Sequence, residues 1–218
     1  MILAAGRGER LRPLTDRVPK PLLPIAGEPL IVHQIRWLER VGIRDIVINL
    51  YHLGDAIEKA LGDGSDLRVK IAYSREHERL ETGGGVRAAL PLLGDAPFAL
   101  LNADIWTDYD FSALPRELLA DDLAHVVLTA RPSHRPTGDF DLAGDRVTRP
   151  DGDRPLVYCG IAVLTPRLFD GAPDGPFSLR ELYFRASAQG RLAGERFAGR
   201  WIDIGNPEQL RAVRRLTD

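Results

Sequence analysis

Cysteine is all but missing from the 218 residues. Cys159 stands alone, which excludes a disulfide framework within the chain and suits a reducing compartment. No apolar run approaches the roughly 20 residues needed to cross a bilayer, and no secretory leader pattern precedes the first apolar stretch. A membrane or exported protein is therefore not expected, and a cytoplasmic one is. Charge of one sign is not in surplus either. Lys and Arg number 29 against 31 Asp and Glu, a formal net charge of −2, so nothing attracts nucleic acid or anionic lipid in general, and any anion site must be local. The histidines (His33, His52, His77, His125 and His134) lack close metal-ligand spacing. Cys159 has no His or Asp at a spacing that suggests an activated nucleophile. Internal repeats and low-complexity linkers are also lacking. With 44% hydrophobic and 28% charged residues, the chain reads as one globular α/β domain over 1–218.

The most informative stretch comes first. Ile2, Leu3 and Ala4 read as a short buried strand. It runs into Ala5-Gly-Arg-Gly-Glu-Arg-Leu-Arg12, followed after a gap by Pro19-Lys-Pro-Leu-Leu-Pro24. Gly6 and Gly8 allow a tight turn and a close approach of backbone N–H groups to an anion, while Arg7, Arg10, Arg12 and Lys20 supply positive charge. This is a device for holding polyphosphate. A Walker A loop is excluded because Glu9-Arg10, not Lys-Ser/Thr, follows Gly8, and a dinucleotide fingerprint because Leu11 takes the place of its third glycine. Both loops also need an immediate helix, which Pro13, Pro19, Pro21 and Pro24 oppose. A solvated Gly/Pro-rich loop is the alternative reading. Only Met1 to Ala4 precede the turn, fewer than a typical strand, so the numbering starting at an internal methionine stays open.

From Pro29 the chain alternates. Pro29–Gly42 reads as a helix with Leu30, Ile31, Ile35, Leu38 and Val41 on one apolar face. Ile43–Asn49 reads as a buried strand, Leu53–Leu61 as a helix and Leu67–Tyr73 as a strand, the grammar of a parallel sheet covered by helices. Gly83, Gly84 and Gly85 precede a further helix, where they would let a flat ligand lie against bare main chain or act as a hinge; Pro91 should shorten or kink that helix. Pro97–Trp106 reads as one central strand bearing Asn102 and Asp104 at its end. Later strands are His125–Arg131, a hairpin around Gly144, Leu156–Leu164 interrupted at Gly160 where a ligand or backbone would approach, Arg191–Phe197 and Arg200–Ile204. A Ser178/Glu181 capping box opens a helix to about Gln189, and Asn206 caps a terminal helix. Ligands of open α/β sheets gather beyond the carboxyl ends of strands, so Asp104, opposite a basic loop, is a natural Mg²⁺ ligand. Asp203 ends a late strand before Gly205; it serves either as a second ligand or as a turn residue.

Leu3-Ala-Ala-Gly-Arg-Gly-Glu-Arg-Leu-Arg-Pro-Leu-Thr followed by Pro19-Lys-Pro-Leu resembles the signature of the sugar-phosphate nucleotidyltransferases, and the likeness extends to Leu80–Gly85, Leu100–Asp104 and Trp201–Gly205. It implies a Rossmann-like, mixed but mostly parallel sheet flanked by helices. The nucleotide half would be about 1–110, the sugar-phosphate half about 111–205 and the terminal helix 206–218, with no C-terminal β-helix. It implies that Ala5, Gly6, Gly8, Glu9 and Arg10 wrap the triphosphate, that Leu3 and Ala5 flank the base, and that Glu81, Thr82, Gly83 and Gly84 read it, with Asn102 nearby. Arg10, Lys20 and Asp104 would carry catalysis, with Mg²⁺ held by Asp104 and Asp203. Gly138, Asp139, Tyr158, Gly160 and Trp201 would receive the sugar phosphate, with Arg131 or Arg135 available to a carboxylate on it. The substrates implied are UTP, or another nucleoside triphosphate, and a sugar 1-phosphate.

A Glu-Lys-Pro segment common in the family's sugar half is missing, with Arg149-Pro-Asp-Gly standing near its place. The short form most resembles the branch that transfers uridylate to N-acetylmuramate α-1-phosphate in cell-wall recycling. Guanylyl transfer to mannose 1-phosphate and cytidylyl transfer to phosphocholine are the alternatives. From a different class, a non-catalytic nucleotide sensor would keep the fold; the presence of Lys20 and both acids argues against it.

Overall fold

Two helical layers enclose a nine-stranded mixed sheet in the computed structural model, which describes residues 1–119, 121–133, 135–151 and 155–217. His134 and Gly152 lie outside the described residues. In chain order the elements are β1 Ile2–Leu3, β2 Pro24–Ile25, β3 Glu28–Pro29, α1 Leu30–Arg40, β4 Asp45–Leu50, α2 Gly54–Leu61, β5 Lys70–Arg75, α3 Glu81–Leu93 and β6 Phe98–Asn102. There follow β7 Ile105–Thr107, β8 Ala124–Ala130, β9 Asp141–Ala143, β10 Arg146–Thr148, β11 Leu156–Leu164, α4 Leu179–Ala188, β12 Leu192–Phe197, β13 Trp201–Asp203 and α5 Pro207–Thr217. The main sheet runs β5-β4-β1-β6-β11-β8-β12-β10-β9. Its first four strands are parallel; β11 is antiparallel to both β6 and β8, β12 is parallel to β8, and β9–β10 form an antiparallel hairpin.

Each face of the sheet buries its own apolar cluster. Ile31, Ile35 and Leu38 of α1 and Ile57 and Leu61 of α2 pack with Ile2, Ile48, Leu101 and Ile161 on one side. Val86 and Ala89 of α3 and Leu179, Leu182 and Tyr183 of α4 pack with Leu100, Val126 and Ala162 on the other. A third cluster forms outside the sheet from Leu11, Leu23, Ile25, Leu30, Ile204, Leu210 and Val213. Among the described residues no helix is long and apolar enough to cross a membrane.

Four local expectations need correction. The apolar run Pro97–Trp106 is not one strand: it turns at Ala103-Asp104, and β7 leaves the main sheet to pair with β13. Gly83–Gly85 do not precede a helix but lie inside α3, which continues through Pro91 to Leu93. Pro91 stands in the last turn, where the loss of one N–H interrupts little of the ladder. Ser178 is the N-cap of α4 but its side chain makes no cap bond; the Leu179 N–H is accepted by Thr82 Oγ1 at 2.9 Å instead. The strand expected at Leu67–Tyr73 begins later, at Lys70, because Ser65–Leu67 form a 3₁₀ turn.

Candidate active site

Register brings the first polar groups together. Leu3 of β1 stands level with Asn49 of β4 on one side and Asn102 of β6 on the other, so three parallel strands end on one line. The chain leaves this line as the glycine loop. Asn49 Oδ1 accepts the Ala4 N–H at 2.8 Å, and its Nδ2 donates to Glu76 Oε1 at 2.6 Å. Burial pushes the Glu76 carboxyl above its ordinary range, with the Asn49 and Leu80 hydrogen bonds acting against it. Gly6 has open space where a side chain would be, whereas Gly8 holds φ +64° with its carbonyl accepting from Thr15 Oγ1 and from the Leu11 N–H, both at 2.8 Å. An L-residue at Gly8 would be strained and its Cβ would stand 2.8 Å from Thr15 Cγ2.

Beyond the loop opens a cleft of about 640 Å³. Of the expected residues, Leu3, Ala5, Gly6, Gly8, Glu9, Arg10, Lys20, Glu81, Thr82, Asn102 and Asp104 line it. Lys20 sits on a short 3₁₀ turn between Pro19 and Leu23, and its side chain is only 10% exposed. Its Nζ reaches Asp104 Oδ2 at 2.7 Å across the mouth of the cleft. Arg10 is exposed, makes no ion pair among the described residues, and lies over Gly205, where a Cβ would come within 2.8 Å of its Nη2.

Gly83 and Gly84 do not offer bare main chain to the cleft. Both N–H groups are directed at Phe177 O, at 2.8 and 3.3 Å. A Cβ on Gly83 would fall 2.2 Å from the Phe177 ring, and one on Gly84 2.3 Å from Gly175 O. Their small size therefore serves helix-to-loop packing. Glu81 and Thr82 are the members of that turn that face the cleft, and Glu81 holds φ +60°, an uncommon conformation for a non-glycine residue.

The two acids expected to share a cation lie 99 residues apart in the chain, Asp104 just before β7 and Asp203 at the end of β13, and of the two only Asp104 is among the residues lining the cleft. Asp203 of β13 pairs with Ile105 of β7, and the Ile204 N–H donates to Asp104 O at 2.7 Å. Each acid carries a cationic nitrogen: Lys20 on Asp104, and Arg135 Nη2 on Asp203 Oδ2 at 2.8 Å. Carboxylates that each already draw positive charge are hard oxygen donors of the kind Mg²⁺ takes, one or two at a time, together with phosphate and water oxygens. No group of three or more His, Cys, Asp or Glu that would form a cage gathers among the described residues, so phosphate and water oxygens would have to complete the set.

The residues expected at the sugar end lie outside the lining of this cleft but are linked to Asp203. Asp139 accepts the Tyr158 N–H at 3.1 Å and stands 3.4 Å from Arg135, which also lies over the Trp201 ring. Trp201 Nε1 donates to Cys159 O at 2.8 Å. Gly160, at a bulge in β11 with φ +73°, makes room for the Asn102 side chain, and Gly138 packs on Pro155 and Leu156. The expected approach at Gly160 is thus that of a neighbouring side chain. Arg131 directs its Nη1 to Arg135 O.

Sequence reasoning missed Asn49, Glu76, Arg79 and Ser178 of the cleft lining, and it missed Gln34. Gln34 is fully buried on α1 and donates Nε2 to Asn102 O and to Ile105 O, both at 3.0 Å, so it brackets the turn that carries Asp104. A signal was present for two of them. Asn49 ends an apolar strand as Asn102 does, and Gln34 interrupts the apolar stripe of α1.

Comparison with known proteins agrees with this architecture. The Nucleotidyl transferase family profile matches residues 1–140. A Neisseria meningitidis protein named N-acetylmuramate alpha-1-phosphate uridylyltransferase is 44% identical over 99% of this chain and 96% of its own length. A Caulobacter vibrioides protein of the same name is 36% identical over 100% and 96%. A mannose-1-phosphate guanyltransferase of Hypocrea jecorina is 33% identical over 96% of this chain and 61% of its own. Among solved structures, HddC from Yersinia pseudotuberculosis superposes with a TM-score of 0.79 at 23% identity, covering 100% of this chain and 98% of that one, a likeness of fold. By sequence and by fold, the chain belongs to the nucleotidyl transferase family.

Proposed function

We propose that this chain joins UTP to N-acetylmuramate α-1-phosphate, forming UDP-N-acetylmuramate and pyrophosphate in a Mg²⁺-dependent reaction of cell-wall sugar recycling in the cytoplasm. The substrates are those named for the full-length relatives. The structural observation that carries the chemistry is the Lys20–Asp104 bridge, which joins the basic N-terminal segment to an acid at the end of the central strands. An oxygen of the sugar 1-phosphate attacks the α-phosphorus, and the bond from that phosphorus to the β-phosphate bridge breaks in line. The nucleophile is already an anion, so no side chain need remove a proton. Arg10 and Lys20 offset the crowded negative charge, and the glycine loop fixes the triphosphate's direction. A divalent cation on Asp104 and Asp203 would supply further positive charge to the reacting phosphate and the leaving pyrophosphate.

Pyrophosphate release tests this, with UTP, GTP and CTP each mixed with Mg²⁺ and a panel of N-acetylmuramate, N-acetylglucosamine and mannose 1-phosphates and phosphocholine. Preference for GTP with mannose 1-phosphate would transfer the reading to guanylyl transfer; binding without release would make the protein a sensor. Lys20→Ala should melt within a few degrees of the parent and lose roughly 10²–10³-fold in kcat/KM. Near-normal turnover in that variant refutes the role of the bridge.

A further inference from the structure

Positive charge is distributed unevenly around the cleft. Arg7, Arg10 and Arg79 line the cleft and make no ion pair among the described residues, whereas the cations around Asp104, Asp203 and Asp139 are committed to those acids. Lys20 is on Asp104. Arg135 reaches Asp203 at 2.8 Å and Asp139 at 3.4 Å, and Arg180 stands 3.6 Å from Asp139. Three cations thus face three carboxylates, and the set is formally neutral. A surface meant to receive a sugar phosphate gains little attraction from cations already neutralised in this way.

Arg135 is the member built to change partner. It belongs to the segment between β8 and β9, and its side chain is 31% exposed, whereas Asp203 is 16% exposed. Its main chain is held separately, through the Arg131 guanidinium on the Arg135 carbonyl. Asp203 is also held independently, because Gln209 Nε2 donates to Oδ1 at 2.9 Å. The guanidinium can therefore leave while the carboxylate stays in place. A divalent ion at this carboxylate brings two positive charges where the guanidinium brings one, so it can take the guanidinium's place without leaving the acid unneutralised.

We propose that Arg135 is an exchangeable cation. It neutralises Asp203 until a divalent cation takes that carboxylate, and the released guanidinium then binds the anionic acceptor, a sugar bearing phosphate or carboxylate groups. This rests on the reading of Asp104 and Asp203 as cation ligands. It couples the two sites, so the acceptor tightens cation binding by the same factor by which the cation tightens acceptor binding.

The test uses the full chain without substrates and Tb³⁺ as the probe, an oxygen-seeking ion whose emission is sensitised by a nearby indole, here Trp201. Arg135→Ala should bind Tb³⁺ about two- to fivefold more tightly than the parent, and Arg135→Lys, which keeps the charge, should bind close to the parent. In turnover assays Arg135→Ala should raise KM for the acceptor several-fold and leave KM for UTP unchanged. Equal or weaker Tb³⁺ binding by Arg135→Ala overturns the exchange, as does an unchanged acceptor KM or an absence of sensitised emission from both proteins. Asp203→Asn separates the two ideas. If it binds Tb³⁺ as well as the parent does, the acid pair is not the cation site and the underlying reading fails. If it loses binding while Arg135→Ala shows no gain, only the exchange fails.

Discussion

Replacing Gln34 by methionine should leave the fold nearly as stable as before and yet cripple turnover. The side chain is fully buried, and its Nε2 holds the Asn102 and Ile105 carbonyls on either side of Asp104. Losing two such bonds costs about 1 kcal/mol each. Its Oε1, however, is buried with no hydrogen-bond partner among the described residues, and removing that orphan restores about 1–3 kcal/mol. Methionine has a similar volume, so no cavity term is added. The stability terms cancel to within about 1 kcal/mol, or roughly 2–4 °C in Tm for a chain of this size. Activity has no such cancellation. The turn that carries Asp104 loses its clamp, and displacement of a reacting constellation by an ångström costs on the order of 10²-fold. Differential scanning fluorimetry and steady-state kinetics on Gln34→Met decide the matter. A kcat within twofold of the parent at unchanged Tm would refute the positioning role. A fall in kcat matched by a large fall in Tm would show Gln34 to be structural only.

Three further outcomes follow from packing and charge. Gly84→Ala should lower Tm by roughly 2–12 °C, although alanine is the better helix former. Its Cβ would meet the main-chain oxygen of Gly175 at 2.3 Å, an overpacking cost of about 1–3 kcal/mol read by thermal melting; an unchanged or higher Tm contradicts it. Cys159 is fully buried, and burial pushes its thiol well above the usual range, so Ellman's reagent should find no thiol in the native protein and one after denaturation. Glu195 has the His125 imidazole 3.8 Å away and accepts a hydrogen bond from the Tyr109 hydroxyl. These hold its carboxyl below 4.5 despite partial burial. Its contribution to stability is present above that value and lost as pH falls through the depressed one, so Glu195→Gln should flatten the acid limb of Tm against pH, and an unaltered limb would contradict this.

The conformation of the N-terminal glycine loop was legible because its constraints are local: Gly8 holds a positive φ, and Pro19 and Pro21 flank Lys20. The late strand was legible because Trp201 and Ile202 run into Asp203 just before Gly205. The glycines of α3 were not legible in the same way. Glycine serves both where a ligand approaches and where another segment packs, and the segment that packs, Gly175–Phe177, is remote in sequence. The break between β6 and β7 was hidden for a related reason. Only Asn102 and Asp104, either side of Ala103, interrupt the apolar residues from Phe98 to Trp106, a pattern a single strand also allows, and the turn exists because β7 finds β13. The pairing of Arg135 with Asp203 joins an aperiodic loop to a late strand, and no spacing announces it.

What aligns the early cations with the late acid is the apolar cluster outside the sheet. Leu11 and Leu23 flank Arg10 and Lys20 in the chain, while Ile204, Leu210 and Val213 follow Asp203, and all five are buried together with Ile25 and Leu30. Trp106 and Ile202, on facing strands of the β7–β13 ladder, pack on the same cluster. Arginine and lysine side chains are long and lose much entropy when fixed, so their convergence on Asp104 and Gly205 needs support from neighbours that bury surface. The hydrophobic contacts supply that support non-directionally, and the ion pair and the small ladder then set the geometry. This division explains why a loop so rich in proline and charge is held in place: its Leu11 and Leu23 belong to a core, and that core is closed by the last helix.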